Sequence, residues 1–291
     1  MYNYSYCPVC KSTSFSPFLT CEDYTVSHEK FSIVTCDGCG FKFTNPIPDV
    51  DKLGKYYKSE EYISHSDTRK GLIAQLYHWV RSYTLSTKLR LVSRYVPRGT
   101  LLDFGCGTGM FLRKCHTSNW KTVGVEPDDA AVQIAARSGA EIHSSLSSIS
   151  GDTHFNAITL WHVLEHVPQL GGTLAWFHEH LQQDGVLIIA VPNHKSFDSL
   201  HYGPFWAAYD VPRHLYHFDP SSLSELAKKA GFKLVDQLPM KFDSFYVSLL
   251  SEKYQAGRTR YLHAFITGLR SNFKARRSGN YSSLIYIFRK S

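Results

Sequence analysis

The sequence predicts an α/β protein, with a doubly wound, mostly parallel sheet of seven strands preceded by a small metal-binding module. Three observations support this prediction. Short β-rich runs alternate with helical patterns, a glycine-rich turn joins one of these runs to a helix, and two close cysteine pairs precede them all. Strands that alternate with helices are typical of a parallel sheet covered on both faces. The 291 residues, 43% of them hydrophobic, suffice for one large domain and one small domain.

The first predicted domain, residues 1–45, contains the four cysteines of a C-x2-C … C-x2-C pattern: Cys7, Cys10, Cys36 and Cys39. Four thiolates at this spacing can enclose one tetrahedral metal ion. A segment of this size has too small a core to fold unaided, so we predict a structural zinc ribbon rather than reduced cysteines without a ligand. Catalytic zinc is disfavoured, because four protein thiolates leave no open coordination position.

The other cysteines indicate a compartment. Cys21, Cys106 and Cys115 show no pairing pattern, so the cysteines do not suggest a framework of disulfides. Metal binding by the two close pairs and a reducing environment are favoured instead. The longest aliphatic run, residues 186–191, is far shorter than the roughly 20 residues that span a membrane. A cytoplasmic protein without a transmembrane segment is therefore expected.

Residues 46–98 form a predicted helical cap or linker, and residues 99–291 contain the alternating strands and helices, with an insertion at 240–280. The helix after the fifth strand starts at a serine and stops at a glycine, which are typical capping residues. The predicted strands are 100–105, 121–126, a short strand near Ile142, 157–161, 185–192, 232–239 and 282–290, and the predicted helices are 128–139, 170–181 and 221–232.

The stretch LLDFGCGTGMFL, residues 101–112, has the pattern of a buried strand, a tight turn and the start of a helix. A dinucleotide-binding G-x-G-x-x-G motif would need a third glycine where this sequence has Met110, so a nicotinamide cofactor is disfavoured. Asp103 can accept a hydrogen bond from a ligand ammonium, and Glu126, at the end of the next strand, can accept from both hydroxyls of a ribose. Together these acceptors predict a site for S-adenosylmethionine.

The same residues carry a resemblance to a known family. The pattern D-x-G-x-G-x-G followed by V-E-P-D resembles the first two motifs of the Rossmann-like, or class I, S-adenosylmethionine-dependent methyltransferases. The resemblance implies that Asp103 and the glycines surround the methionine moiety, that Glu126 holds the ribose and that Pro127 lines the adenine side. The family's Asp after the third strand is missing here, so Ser145 and Leu146 become the nearest candidates for the adenine contact. The implied cofactor residues are Asp103, Gly105, Gly107, Gly109, Glu126, Pro127, Ser145, Leu146 and Trp161.

The stretch WHVLEHV, residues 161–167, follows the fourth predicted strand and contains His162, Glu165 and His166. It matches the H-x-x-E-H pattern of inverted zinc proteases, but that motif lies along an established helix, whereas His162 lies at a strand-to-helix junction. With the later stretch YDVPRHLYHF, it resembles the methyltransferase-domain-23, or ubiquinone-methyltransferase-like, group, and the resemblance covers about residues 36–290. In such folds the fourth strand ends beside the transferred methyl group, so His162 is expected near the cofactor.

Methyl transfer to a hydroxyl needs a base, and histidine suits this role because its pKa lies near neutral pH. We therefore predict three catalytic candidates, His162, His166 and His214. Two alternatives stay open: the histidines pack structurally around a buried Glu165, or they hold a divalent ion. The quinone-pathway O-methyltransferases that this motif resembles have E-x-x-E-H here, and His162 replaces their first carboxylate, which disfavours the ion.

The loop FWAAYDVPRHLYHF, residues 205–218, follows the fifth predicted strand and is expected to form the wall that contacts the methyl acceptor. The guanidinium of Arg213 suits a bidentate contact with a carboxylate or phosphate. The alternative is an Asp/Arg/His network that only orders the loop. The predicted substrate-binding residues are Trp206, Tyr209, Asp210, Arg213 and His217.

Two further segments are candidates for covering the site. In the helical cap, Tyr56, Tyr57 and Tyr62 lie where this fold often places N-terminal helices over the cofactor, although such tyrosines also pack in amphipathic helices. The insertion begins with a helical pattern that could close the acceptor pocket and bring Asp243 and Tyr246 near it.

The formal net charge of +7 is unevenly distributed. From Leu249 to the end, nine Lys or Arg residues stand against Glu252 alone, so this segment could face an anionic substrate, nucleic acid or a membrane, or be a solvated surface. The predicted function is O-methylation of a small molecule, either a sugar, a phenol or another secondary metabolite, anionic and lipid-linked acceptors included. The alternatives are a nucleic-acid (RNA) methyltransferase or binder and an idle cofactor-binding scaffold. Against the first alternative, the fourth strand lacks the [DN]-P-P-[YF] and Pro-Cys motifs of base-modifying enzymes.

Overall fold

The computed structural model describes residues 1–57 and 72–291, and at residue 50 and residues 72–80 it describes the backbone alone. The strands are β1 (Phe15–Glu22), β2 (Lys30–Cys36), β3 (Lys42–Thr44), β4 (Thr100–Phe104), β5 (Lys121–Val125), β6 (Glu141–His143), β7 (Phe155–Trp161), β8 (Leu181–Pro192), β9 (Tyr216–His217), β10 (Phe232–Pro239) and β11 (Ser283–Lys290). The α-helices are α1 (Leu72–Tyr95), α2 (Met110–His116), α3 (Asp129–Ala135), α4 (Leu170–His180), α5 (Phe197–Tyr202), α6 (Pro220–Lys229), α7 (Asp243–Ala256) and α8 (Tyr261–Ser278). Short 3₁₀ helices lie at Val50–Tyr57, Ala136–Ser138, Leu146–Ser148, Leu164–His166, Gly203–Phe205 and Ala207–Tyr209. Among the helices of the described ranges, none combines the length and the apolar character that crossing a membrane requires.

Seven strands form the large sheet, in the order β10-β11-β8-β7-β4-β5-β6. β11 pairs antiparallel with both β10 and β8, and the other pairs are parallel. This confirms the predicted doubly wound, mostly parallel sheet. The strand order reverses at β4, which has β5 on one side and β7 on the other. Ligands of open α/β sheets bind in the crevice at such a reversal, beyond the carboxyl ends of the strands.

Successive residues of each central strand pack into two different cores. Leu101 of β4 lies in one core with Val92 of α1, whereas Leu102 lies in the other with Leu174 of α4. Helices α1 and α2 contribute to the first core, and α4 and α6 to the second. Side chains of a strand point alternately to the two faces, so a strand covered on both must be apolar at successive positions. The run VLIIAV in β8 meets this requirement and is buried throughout.

A second, antiparallel sheet has the order β1-β2-β3-β9. Three of its strands come from the N-terminal region, but β9 comes from the loop after β8 and pairs Lys42 with His217 and Phe43 with Tyr216. Phe41 also stacks against Tyr216, with ring centroids 6.0 Å apart. The N-terminal cysteine region and the loop expected to contact the acceptor are therefore parts of one sheet.

One predicted helix start is wrong. Helix α6 begins at Pro220 rather than at Ser221, because Asp219 caps it: its Oδ1 accepts a hydrogen bond from the Ser222 amide at 2.8 Å. The predicted glycine stop is confirmed, since Gly231 follows this helix with a φ of 84°. The insertion before the last strand consists of helices α7 and α8.

Candidate functional site

The glycine loop lies at the carboxyl end of β4, where the strand order reverses. Gly105, Gly107 and Gly109 have φ values of 72°, 53° and 72°, in the left-handed region that favours glycine. A Cβ added to Gly105 would lie 2.5 Å from a methyl group of Val163, so no side chain fits there. A Cβ added to Gly107 would meet nothing within 4 Å. The loop therefore packs against the turn after β7 and leaves open space beside Gly107.

Glu126 follows β5 and contacts the glycine loop. Its Oε2 accepts from the Gly107 amide at 2.9 Å, and its Oε1 accepts from the Asp128 amide at 3.0 Å. A carboxylate offers about four lone-pair positions, so each oxygen keeps one for a further donor. These two hydrogen bonds fix the carboxylate beside the loop.

The residues expected on the adenine side lie next to this carboxylate in the chain or in the sheet. The amide of Glu126 donates to the carbonyl oxygen of His143 at 2.9 Å, which joins the end of β5 to β6. Pro127 is exposed. Ser145, also exposed, and Leu146 form the turn directly after β6.

Asp103 is buried in β4, beside β7. Its Oδ1 accepts from the hydroxyl of Thr159 at 2.6 Å. Burial raises the pKa of Asp103 to about 7, although the Thr159 hydroxyl and the ammonium of Lys88 both oppose this rise. The carboxylate is poorly solvated, so a ligand cation that reaches it would bind the ionised form.

Lys88 of α1, which is not among the predicted site residues, lies against Trp161. Its Nζ lies 4.4 Å from the ring centre of Trp161. Burial lowers the pKa of Lys88, and the negative charges of Asp103 and Asp243 oppose this. Trp161 packs edge-on against Phe111, and its Nε1 is buried without a hydrogen-bond partner among the described residues. A single lysine in a helix without a marked pattern leaves no sign of this role in the sequence.

His162 is the first residue after β7 and has a φ of 59°. Its Nε2 lies 3.0 Å from Oδ2 of Asp243, and its Nδ1 lies 3.5 Å from Oε1 of Glu165. Burial lowers the pKa of His162, but the two carboxylates outweigh burial and raise the pKa to about 10. An imidazole that is protonated at neutral pH does not take a proton from an acceptor. The geometry therefore corrects the expectation for His162, which is a fixed positive charge rather than a base.

His166 and His214 lie side by side, with ring centroids 4.5 Å apart and ring planes at 78°. Nδ1 of His166 lies 3.0 Å from the carbonyl oxygen of Arg213, and Nδ1 of His214 lies 2.9 Å from that of Ala208. A carbonyl oxygen only accepts, so we assign a proton to both Nδ1 atoms. Nε2 of His214 lies 3.9 Å from Oδ2 of Asp210. Burial and the neighbouring His214 lower the pKa of His166 to about 4, which keeps His166 neutral.

Glu165 completes this cluster. Its side chain is fully buried, and neither carboxylate oxygen has a hydrogen-bond partner in the part of the chain that the structure describes. Ligand atoms of Glu165, His166 and His214 lie within 4.8 Å of one another. One carboxylate and two imidazoles in this arrangement fit a divalent cation.

Arg213, expected to bind the acceptor, is instead part of a buried network. Its Nη2 lies 2.9 Å from Oδ1 of Asp23 and 2.7 Å from Oδ1 of Asp210. Its Nη1 donates to the carbonyl oxygen of Tyr56 at 2.8 Å, and its side chain is 2% exposed. The guanidinium and its partner Asp210 already form the bidentate contact predicted for an acceptor, which corrects that prediction for both. The alternative, a network that orders the loop, agrees with the structure.

The other residues of the expected acceptor wall are buried as well. Trp206 Nε1 donates to Oδ2 of Asp198 at 2.8 Å, and Tyr209 packs edge-on against Trp206. Nε2 of His217 lies 3.1 Å from the hydroxyl of Thr44 in β3. Trp206, Tyr209 and His217 therefore pack the loop against its neighbours, and Trp206 and Tyr209 also border a small cavity between this loop and β1.

The residues expected to cover the site behave differently from one another. The hydroxyl of Tyr57 lies 3.1 Å from Nδ1 of His166, so this tyrosine reaches the histidine pair. Tyr56 is buried in the core of the small sheet. Tyr62 lies outside the described residues. The insertion reaches the site through Asp243, whereas Tyr246 is 51% exposed.

The four cysteines predicted as metal ligands come together. Sγ of Cys7 lies 3.7 Å from that of Cys39, and Sγ of Cys10 lies 3.4 Å from that of Cys36. All four sulfurs lie within 4.8 Å of one another. A tetrahedron with Zn–S bonds of about 2.3 Å has sulfur–sulfur edges of about 3.8 Å, so the donor set and its spacing fit zinc.

The strand order, the antiparallel last strand and the glycine loop at the reversal point together define the Rossmann-like methyltransferase class, whose methyl donor is S-adenosylmethionine. The family model of a methyltransferase domain matches residues 76–237. The chain belongs to this family of methyltransferases.

Curated relatives are distant. A ubiquinone biosynthesis O-methyltransferase from Nitrosospira multiformis is 24% identical over 158 residues, which cover 49% of this chain and 66% of the relative. The dTDP-3-amino-3,6-dideoxy-α-D-glucopyranose N,N-dimethyltransferase from Streptomyces fradiae is 31% identical over 107 residues, which cover 34% of this chain and 42% of the relative. The chain thus spans less than two-thirds of the length of these relatives.

Solved structures share the fold at low identity. The magnesium protoporphyrin IX methyltransferase from Synechocystis PCC 6803, solved with bound S-adenosylhomocysteine, superposes with a TM-score of 0.55 and 11% identity, over 84% of this chain and 100% of that one. An S-adenosylmethionine-dependent methyltransferase from Archaeoglobus fulgidus gives a TM-score of 0.50 and 19% identity, over 72% and 94%. Both support the Rossmann-like fold.

Proposed function

We propose that the chain transfers the methyl group of S-adenosylmethionine to a hydroxyl oxygen of a small molecule, in the class of sugars, phenols and other secondary metabolites. The observation that carries this proposal is the pair of adjacent imidazoles, His166 in the turn after β7 and His214 in the loop after β8. Val163, which fills the space at Gly105, belongs to the same short turn as His166. A proton acceptor therefore lies beside the place where the methyl donor binds in this class.

The proposed cofactor site uses the residues expected from the motifs. When bound, S-adenosylmethionine supplies a methyl group on a positively charged sulfur. Asp103 accepts a hydrogen bond from its ammonium, and Glu126 accepts from its ribose hydroxyls. The glycines have no side chains, so the cofactor can approach the backbone of the loop closely. Trp161, Pro127, Ser145 and Leu146 complete the set on the methionine and adenine sides.

We assign the general base to His214. Its Nδ1 proton is held by the Ala208 carbonyl, so the acceptor's proton would pass to Nε2, which lies 3.9 Å from Oδ2 of Asp210, as the oxygen–carbon bond forms. His166, whose pKa is lowered to about 4, is a weak base and orients the acceptor. His162 faces the carboxylates of Glu165 and Asp243, and the ammonium of Lys88 interacts electrostatically with Asp103 and Asp243.

A divalent cation is the second candidate for the same cluster, because the buried Glu165 carboxylate accepts no close hydrogen bond in the described chain and faces the His162 ring at 3.5 Å. In that case Glu165, His166 and His214 would hold the cation, and its chemistry there would be Lewis-acid polarisation of the acceptor hydroxyl. Chelation that removes activity, while the zinc content stays at one per chain, would favour the cation. Full activity after chelation would exclude the cation and favour the histidine base.

We further propose that Cys7, Cys10, Cys36 and Cys39 hold one structural zinc ion. The domain organisation follows the sequence: a ribbon at 1–45, a helical cap at 46–98 and a methyltransferase domain at 99–291. The ribbon is joined to the last of these by β9 and by the ion pair of Arg213 with Asp23.

The experiment that tests the proposal uses S-adenosylmethionine labelled in its methyl group. Cell extract fractionated into small molecules, glycans and RNA serves as acceptor, and we expect label in the small-molecule fraction. With that fraction, His214→Ala should lower turnover by about 10²- to 10⁴-fold, the usual contribution of a general base. Binding of S-adenosylhomocysteine, measured by calorimetry, should stay unchanged in this variant.

Three results would contradict the proposal. Label in RNA alone would establish the nucleic-acid alternative, and label in no fraction would favour a scaffold that binds cofactor without transferring its methyl group. Near wild-type turnover in both His214→Ala and His166→Ala would show that neither imidazole is the base.

A further inference from the structure

Helix α8 presents a continuous apolar surface to solvent. Its exposed side chains are Tyr261 (74%), Leu262 (70%), Phe265 (54%), Ile266 (38%), Leu269 (48%) and Phe273 (64%). At about 100° per residue these six fall within an arc of about 140° on the helix surface. Contiguous exposed apolar patches on soluble proteins are uncommon and mark interaction sites. We call this surface the α8 stripe.

The buried side of the same helix consists of small residues. Those that pack inward are Ala264, Thr267, Gly268, Ser271 and Ala275. A Cβ added to Gly268 would lie 2.6 Å from the ring of Phe245, so α8 lies very close to α7. A helix that served only to cover the core would turn its large apolar side chains inward. Here the small side chains hold the helix in place, and the large ones remain outside.

Basic residues border the stripe. Arg270, Lys274, Arg276 and Arg277 lie in α8, and no acidic residue follows Glu252 in the sequence. The Glu252 carboxylate is itself engaged, since its Oε2 lies 2.5 Å from Nε of Arg260. Every charged side chain of α8 itself is therefore basic, and the Asp198 carboxylate of α5 meets the helix only on its buried side, at Ser271.

A shallow open groove continues the stripe onto α5. It is lined by Phe197, Leu269, Arg270, Phe273 and Lys274. The ammonium of Lys274 lies 3.9 Å from the ring centre of Phe197, so its aliphatic stem covers apolar surface while its charge stays at the rim. Apolar and cationic groups thus alternate over short distances along this surface.

We propose that α8 docks this protein on an anionic phospholipid bilayer, with the stripe inserted at the boundary between headgroups and acyl chains. A helix with a bulky apolar face and flanking Lys and Arg residues is the arrangement that lies in a membrane interface. Charge complementarity selects the anionic lipid, because each Lys or Arg near such a surface adds attraction. A second copy of this chain would bring the same positive charge against itself.

The test measures co-sedimentation of the full-length protein with phosphatidylcholine vesicles, with and without phosphatidylglycerol. We expect binding to the mixed vesicles only, and weaker binding as salt is raised. The triple variant Leu262→Ser/Leu269→Ser/Phe273→Ser should bind at least about tenfold more weakly, since each change removes several buried methylene equivalents. The triple variant Arg270→Gln/Arg276→Gln/Arg277→Gln should bind up to about a hundredfold more weakly.

The matched control places the same chemical change elsewhere. Ile134, Leu234 and Val235 are 50%, 41% and 46% exposed, and their triple replacement by serine should leave vesicle binding unchanged. Circular dichroism melts should show that all three variants remain folded. The assay measures binding alone, so its result is independent of whether the chain methylates a hydroxyl.

Several outcomes would overturn the proposal. The first is wild-type protein that ignores mixed vesicles, or an apolar variant that binds them as the wild type does. The second is a dimer in light scattering that the apolar variant converts to a monomer, which would show that the stripe pairs two copies. The third is binding to an RNA oligomer, in place of vesicles, that both α8 variants abolish.

Discussion

The glycine loop and the loop after β8 both lie at the carboxyl edge of the large sheet, but different interactions hold them in place. Glu126 contacts an amide of the glycine loop only 19 positions away in the chain. Arg213 contacts Asp23, which is 190 positions away. The first arrangement is a local motif, whereas the second exists only after the N-terminal sheet has packed on the methyltransferase domain. Side chains typical of ligand binding therefore stabilise the fold in the loop after β8, whereas beside the glycine loop they remain available for a ligand.

The largest expected effect comes from removing one thiol of the cysteine cluster. In Cys36→Ser, zinc should fall from about one per chain to none, because a structural site needs all four thiolates. The strands at 30–44 should then exchange their amide hydrogens faster, and so should β9, which pairs with them. Metal analysis and hydrogen-exchange mass spectrometry measure these effects. Cys21→Ala, a buried cysteine of β1 outside the cluster, should keep its zinc, and wild-type protein that is folded without zinc would contradict the proposal.

Breaking the buried ion pair should have the next largest effect. Arg213→Met leaves Asp23 and Asp210 without their cation, which should lower the free energy of unfolding by about 3–5 kcal/mol in urea titrations. Lys195→Met breaks a half-exposed ion pair with Asp219 and should cost less than about 1 kcal/mol. If Arg213→Met were as stable as the wild type and only raised the KM for the acceptor, Arg213 would be a substrate ligand after all.

The sequence was sufficient to predict those features of the fold and of the candidate site that depend on residues close together in the chain. The apolar run in β8, the glycine turn and Glu126 after β5 each follow from residues close together in the chain, and the fold class that they predict is confirmed. Asp103 and Glu126 also lie at the edge where the motif places them, although their ligand contacts stay predictions.

The sequence was insufficient wherever distant segments meet. β9 is two residues long, and only its pairing with β3 makes it a strand. Lys88 interacts electrostatically with Asp103 from a helix whose pattern does not set it apart. Arg213 and Asp210 have the chemistry of an anion site, and no local pattern reveals that Asp23 already fills that role. Such networks resemble binding sites until their remote partners are known.

At the glycine loop, Asp103→Asn should weaken S-adenosylhomocysteine binding by about 10- to 100-fold, the usual effect of losing one charge-assisted hydrogen bond. The hydrogen bond with Thr159 can form with the amide oxygen, so the fold should be unaffected. Calorimetric titration measures the affinity. Asp128→Asn, at an exposed helix cap nearby, is the matched control and should bind normally. Equal affinity in Asp103→Asn and the wild type would exclude Asp103 as the ammonium acceptor.

The smallest expected effect is a pH dependence of the same binding. The pKa of Asp103 in the free protein is about 7, and a ligand ammonium favours the ionised carboxylate, so binding should release a proton. Affinity should be full above pH 7 and fall by about tenfold from pH 8 to pH 6, as the carboxyl group takes up its proton. Because Lys88 lowers this pKa, Lys88→Met should move the dependence to higher pH, and Asp103→Asn should abolish it. Calorimetry in two buffers of different ionisation enthalpy measures the released proton, and wild-type affinity that stays constant over this range would show that the bound ligand does not contact the Asp103 carboxylate.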